Sequence, residues 1–244
     1  MLNQSGRYLL SFMLIHNDYR HRRGDGPQPT LTALQAMVGS SARQTAAFVA
    51  TLKAARLVTV EADPNDARLR CLRATPPLVA EIGRPGRLFV AAMDRLTRRR
   101  PSRAAMLDDF DRLGELIYRS GAHVLQHGML TEPFARIFSF TARDCGYPLL
   151  AAIVGAHYAA TVPDAPAALP LSLRALADRF GVSRAHVGNL LQEADAAGWF
   201  RTEDRRLTQL DPTLLDEFEH WAACQIVFYD DLAAAICTGA AASP

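Results

Sequence analysis

Apolar positions recur at helical spacing in two stretches of similar layout. Behind Ser172, a natural N-cap, Leu173, Leu176, Ala177 and Phe180 fall on one helix face. Gly181 predicts a left-handed stop, and Val182 a plug for the turn. Ser183 then caps a second helix that buries Val187, Leu190, Leu191 and Ala194. Nearer the start, Leu31, Leu34 and Val38, a Gly39–Ser40 turn and a helix from Ser41 repeat this layout, burying Thr45, Phe48, Val49 and Leu52. Two helix-turn-helix units are predicted, with second helices at 41–53 and 183–194.

A strand pair follows each unit. Leu57, Val58 and Val60 begin one strand, Asp63-Pro64-Asn65-Asp66 is turn chemistry, and Leu69 to Leu72 return. Phe200 to Leu210 predicts a shorter hairpin with Arg201, Arg205 and Arg206 around Glu203-Asp204. The chain therefore contains itself twice. At an offset of 142, Leu31, Leu34, Gly39, Ser41, Phe48 and Leu57 meet Leu173, Leu176, Gly181, Ser183, Leu190 and Trp199. At an offset of 136, Pro76, Leu78 and Glu81 meet Pro212, Leu214 and Glu217. An apolar helix from Tyr8 to Tyr19 has its counterpart from Tyr147 to Tyr158. The unit spans roughly 5–95 and again 140–238.

The expected fold is mainly α with small β-hairpin wings: tandem winged helix-turn-helix domains joined by a helical segment, with pseudo-twofold symmetry. The expected boundaries are 1–97, 98–139 and 140–244. The middle carries a basic run from Arg95 to Arg103, which suits a helix C-terminus or a phosphate backbone. Leu107, Phe110, Leu113, Leu116, Ile117 and Val124 then predict helix over 104–135, and 162–170 reads as a short connector.

Charge adds direction to this frame. Residues 40–103 hold 13 Arg and Lys against 5 acids, whereas residues 171–244 hold 6 against 11. The basic end favours an anionic partner. In the first unit Ser41, Arg43 and Gln44 face outward at the start of the second helix. Arg and Gln can pair with guanine and adenine edges respectively, and Ala42, Ala46 and Ala47 permit close approach. Arg68 lies near the wing tip, with Arg70 and Arg73 beyond it. In the second unit Ser183, Arg184, His186, Asn189 and Arg205 occupy the matching places.

The stretch Asp63-Pro64-Asn65-Asp66-Ala67-Arg68, followed by Leu72 and Thr75, resembles the wing signature of the MarR family, with Ala74 where leucine is usual. The resemblance covers residues 5–95 and, more weakly, 140–238. It implies a winged-helix transcription factor in which Asp66 orients the wing and Arg68 touches DNA. That family pairs two single-unit chains as a homodimer, so two units in one chain imply a single-chain pseudo-dimer. The second copy lacks the Asp-x-Arg tip.

Other chemistry is sparse. Cys71, Cys145, Cys224 and Cys237 are scattered, which argues against a disulfide framework or a cysteine zinc site. His123 and His127 lie four apart without a third ligand in view. No nucleophile elbow, phosphate loop or dinucleotide fingerprint occurs, so no enzyme activity, metal or cofactor is expected. Phe134, Phe138, Phe140, Tyr147, Tyr158, Trp221 and Phe228 suit core packing, or an effector pocket. The N-terminal stretch lacks a secretory layout and no apolar run is long enough for a span, so a cytoplasmic protein is expected.

The sequence thus points to a sequence-specific regulator of transcription on double-stranded DNA, with two recognition helices in successive major grooves and wing arginines on the backbone or minor groove. A protein-binding winged-helix scaffold and a replication initiator with paired winged helices are the alternatives. A small-molecule effector and a homodimer stay open as partners; a membrane is not expected.

Overall fold

Local caps set most of the helix ends. A computed structural model of the chain describes residues 5–64, 66 and 68–239. Among these it is mainly helical, with two separate two-stranded antiparallel hairpins. Two compact units result among the described residues: Gly6–Leu130 together with Ala222–Gly239, called the first unit, and Thr131–Trp221, the second. This grouping differs from the sequence repeat, since the middle segment divides between the units at Thr131.

In the first unit, helix α1 (Ser5–Arg22) is buried on all sides from Leu10 to Tyr19. Helix α2 (Leu31–Met37) starts at Thr30, whose hydroxyl accepts from Ala33 N at 3.1 Å. Helix α3 (Ala42–Ala54) buries Thr45, Phe48, Val49 and Leu52, as their spacing predicts. Strands β1 (Val58–Ala62) and β2 (Arg70–Ala74) pair from Val58↔Ala74 to Ala62↔Arg70. Helix α4 (Pro76–Leu96), the short α5 (Arg103–Met106) and α6 (Phe110–His127) follow. Helix expected over 104–135 is interrupted twice. Asp109 caps α6 by accepting from Arg112 N, and Gly128, at φ 83°, ends it.

Asp18 holds α1 to the hairpin. Its fully buried carboxylate accepts from Arg22 Nη2 at 2.8 Å, Arg73 Nη1 at 2.9 Å and the Ala74 backbone N at 3.0 Å. His16, 2% exposed, stacks on Tyr118 and donates through Nδ1 to the Tyr118 carbonyl at 2.8 Å. Burial, with Arg20 beside it, lowers the His16 imidazole below its ordinary range despite that bond. Burial also lowers His123, helped by His127. A histidine kept neutral in the fold and free to protonate when unfolded leaves stability intact above about pH 6.5 and erodes it as pH falls below. The urea midpoint of the chain should therefore drop between pH 7.5 and 5, and His16→Gln should flatten that drop. An unchanged pH dependence in the variant would remove His16 from the account.

The remaining basic run closes the far end of α4. Arg99 donates to Asp94 and, through both nitrogens, to Asp230, while Arg103 adds a bond to Asp230 at 2.8 Å. Burial alone would raise the Asp230 carboxyl; the two arginines hold it below its usual value. These two arginines are structural, whereas Arg95, Arg98 and Arg100 stay exposed.

The second unit holds α7 (Ala135–Thr141), α8 (Gly146–Thr161), α9 (Leu173–Phe180), α10 (Arg184–Ala196) and strands β3 (Phe200–Glu203) and β4 (Arg206–Leu210). The last helix, α11 (Pro212–Cys237), belongs to it as far as Trp221 and to the first unit thereafter. The bounds of α3 and α10 obey the 142-residue offset, and the starts of α4 and α11 obey the 136-residue offset. Even the left-handed residue after each second helix recurs, as Arg56 (φ 56°) and Gly198 (φ 71°).

Three local expectations need correction. Gly181 is the left-handed cap foreseen, at φ 66°, but α2 ends at Met37 on an extended Val38, and Gly39 is not left-handed. The seven-residue α2 therefore exits without the turn found in the second unit. Of its three expected core residues only Leu34 is buried, and in α10 Leu191 is only half-buried. Asn65 in the first hairpin turn and Ala67 beside Arg68 lie outside the described residues.

The second hairpin turns on Asp204 (φ 46°) and Arg205 (φ 65°), between the paired Glu203 and Arg206. Two successive left-handed residues match a type I′ turn, which favours Asn-Gly or Asp-Gly. Arg205→Gly should therefore stabilise the second unit by about 1 kcal/mol. A urea midpoint that stays put or falls in this variant would contradict that reading of the turn.

Candidate nucleic-acid interface

The first candidate surface is built on the start of α3. Ser41 Oγ accepts from Gln44 N at 3.2 Å, and Gln44 Oε1 accepts from Ser41 N at 3.3 Å and from Ser41 Oγ at 3.0 Å. This is a reciprocal capping box, and its Ser-x-x-Gln signature was present in the sequence. Arg43 beside it is exposed and has no ion pair among the described residues. Thr45, on the inner face, donates to the Ser41 carbonyl at 3.2 Å and bonds Ser40 Oγ at 2.8 Å. The start of α3 is thus anchored from below while Arg43 and Gln44 point outward.

The hairpin packed against α3 supplies the second part of this surface. Asp63 Oδ1 accepts from Asp66 N at 3.1 Å, and Asp66 Oδ1 accepts from Arg68 N at 2.9 Å. Leu69 N then donates to the Asp66 carbonyl, and Asp63 N to the Leu69 carbonyl. Two aspartates therefore hold the turn, and Asp66 sets the backbone from which Arg68 projects. Arg68 is exposed, as is Arg70 at the start of β2, and neither has an ion pair among the described residues. Arg73 differs: its guanidinium is bound to Asp18, with Glu61 at 3.6 Å, and serves the fold.

In the second unit the corresponding helix α10 is capped by Ser183, whose Oγ accepts from His186 N at 3.1 Å. His186 Nε2 donates to the Asp144 carbonyl at 2.7 Å, so this half-buried ring is turned onto its own unit. Arg184 and Asn189 are exposed, and neither side chain has a hydrogen bond among the described residues. Arg205 is exposed at the hairpin turn. Around them acids neutralise the cations: Arg143 pairs with Glu193 at 2.8 Å and Arg201 with Asp195 at 2.9 Å. The second surface is thus electrostatically weaker than the first.

Sequence reasoning missed the two groups that shape these surfaces from behind. Asp18 carried a faint signal, a lone acid in an apolar helix with Arg22 four residues on. The Asp144 carbonyl, being backbone, carried none.

The other candidates resolve differently. Of the aromatic residues, Phe140 lies on Trp199 and Phe200, Tyr147 on Trp221, and Phe228 on His123, whereas Phe138 is 42% exposed and does not pack in the core. None of them lines the open cavity of about 590 Å³ beside the first hairpin, which is bordered by His21, Arg22, Thr59, Glu61, Arg73 and Phe110. His123 and His127 rings sit 4.8 Å apart, and no group of three metal-ligating side chains occurs among the described residues. No described helix is long and apolar enough to cross a membrane. No family model, no curated protein and no solved structure matches this chain.

Proposed function

We propose that this chain is a sequence-specific regulator that binds double-stranded DNA through two MarR-like winged helix-turn-helix units. The observation that carries the reading is the first unit's pairing of a capped, outward-facing α3 with a hairpin whose Arg68 and Arg70 are exposed and have no ion pair among the described residues. Arginines held this way suit phosphate or minor-groove contact, while Arg43 and Gln44 sit where a recognition helix meets base edges. The second unit repeats the elements, so one chain addresses two half-sites of unequal strength. Tethering the units raises the effective concentration of the second once the first is bound.

Arg68→Ala should weaken binding to every duplex to a similar extent, whereas Arg43→Ala should also relax base preference. Fluorescence-anisotropy titrations against a selected site and an unrelated duplex distinguish these outcomes. Equal affinity of both variants with the parent protein would overturn the assignment.

A protein-binding role has specific support only in the second unit, where Arg143 and Arg201 are neutralised by acids. On that reading Arg184→Ala leaves DNA affinity unchanged while Arg68→Ala lowers it.

A further inference from the structure

We infer that Gln44 and Arg43 read guanine, not adenine, in the half-site bound by α3; this rests on the DNA-binding reading above. A glutamine amide offers one oxygen with two lone pairs and one nitrogen with two hydrogens. In this chain both lone pairs of Gln44 Oε1 are occupied, by the Ser41 backbone N–H at 3.3 Å and the Ser41 hydroxyl at 3.0 Å. The capping geometry also settles which way the amide faces, because the Ser41 N–H can be accepted only by the oxygen. What remains for a partner is the Nε2 amino group, on an exposed side chain.

Arg43 is its neighbour in sequence and is equally exposed. A guanidinium has five N–H donors and no acceptor. The two reading side chains therefore present donors alone. In the major groove guanine offers the two acceptors N7 and O6, whereas adenine places the N6 amino donor beside N7, cytosine offers the N4 amino donor, and thymine has the single acceptor O4 beside its methyl group. The usual glutamine–adenine pair needs the amide oxygen to accept from N6, and here that oxygen is committed to Ser41. Asn189 on α10 has no such tie among the described residues, so the restriction belongs to the α3 capping box.

The test uses the full-length protein and a pool of random-sequence duplexes, selected in parallel with the parent and with Gln44→Glu. Glutamate retains an oxygen for the Ser41 N–H, so the capping box and the fold persist while the donors are lost. The parent should select a guanine at the position where Gln44→Glu loses preference. Because the added charge weakens all binding, the readout is the ratio of affinities for guanine and 7-deazaguanine at that position. The parent should prefer guanine about tenfold, and the variant should not distinguish them. Selection of adenine, cytosine or thymine at that position, or an identical site for both proteins, overturns the inference and leaves DNA binding standing. Absence of any binding by the parent at low salt overturns both.

Discussion

Asp18→Ala is expected to destabilise the first unit by about 3 kcal/mol, the cost typical of removing one partner from a buried ionic group. The carboxylate is fully buried and takes bonds from Arg22, from Arg73 and from the Ala74 backbone N–H. Alanine strands all three donors. Arg22 is exposed enough to regain water, but the side chain of Arg73 is only 19% exposed and Ala74 N–H sits in the core. The unpaired groups, and not the loss of a favourable pair, supply most of the penalty. Since Arg73 and Ala74 belong to β2, the hairpin carrying Arg68 and Arg70 loses its attachment to α1 as well. Urea unfolding followed by circular dichroism should show the loss, with Asp18→Asn intermediate because it retains an acceptor. A change below about 1 kcal/mol would mean that the network is replaceable by water.

Gly146→Ala is expected to cost the second unit about 3 kcal/mol or more, at the upper end of overpacking penalties. A Cβ built on Gly146 falls 1.9 Å from the Phe140 carbonyl oxygen, and backbone cannot swing away as a side-chain tip would. Cys145, just before it, already occupies the left-handed region at φ 53°, so the α7–α8 turn has little freedom to absorb the clash. The same turn presents the Asp144 carbonyl to His186 on α10. The variant should therefore lose stability and also disturb the start of α10. Thermal unfolding of Gly146→Ala beside the control Gly155→Ala, where an added Cβ meets nothing within 4 Å, isolates the effect. Equal melting behaviour of the two would contradict the argument.

The helices and hairpins were legible because their signals are local. Serines at 41, 172 and 183, Gly181 and the proline at each long helix start act within a few residues, and the helix ends lie beside them. The inward faces of α3 and α10 followed from apolar spacing, apart from the half-buried Leu191. What spacing cannot supply is the partner of a charge. Arg73 and Arg68 look alike in the sequence, yet one is bound to Asp18, 55 residues away, and the other is exposed. Arg99 and Arg103, read as part of a basic run, meet Asp230 far along the chain. Likewise His186, expected on the outer face, is bound to the Asp144 carbonyl, 42 residues before it. Periodicity also predicts helix through residue 135 and is silent on the left-handed Gly128 that stops it. The functional reading is therefore strongest around Arg43, Arg68 and Arg70, which are exposed and have no ion pair among the described residues.

The most direct test of the central proposal is a salt titration of the full-length protein on random-sequence duplex DNA. Log affinity should fall linearly with log salt, by roughly 0.9 for each phosphate neutralised. The slope should correspond to several phosphates in the parent and shrink by about one phosphate in each of Arg68→Ala and Arg70→Ala. No measurable binding at low salt, or a slope that neither substitution changes, would contradict the proposal.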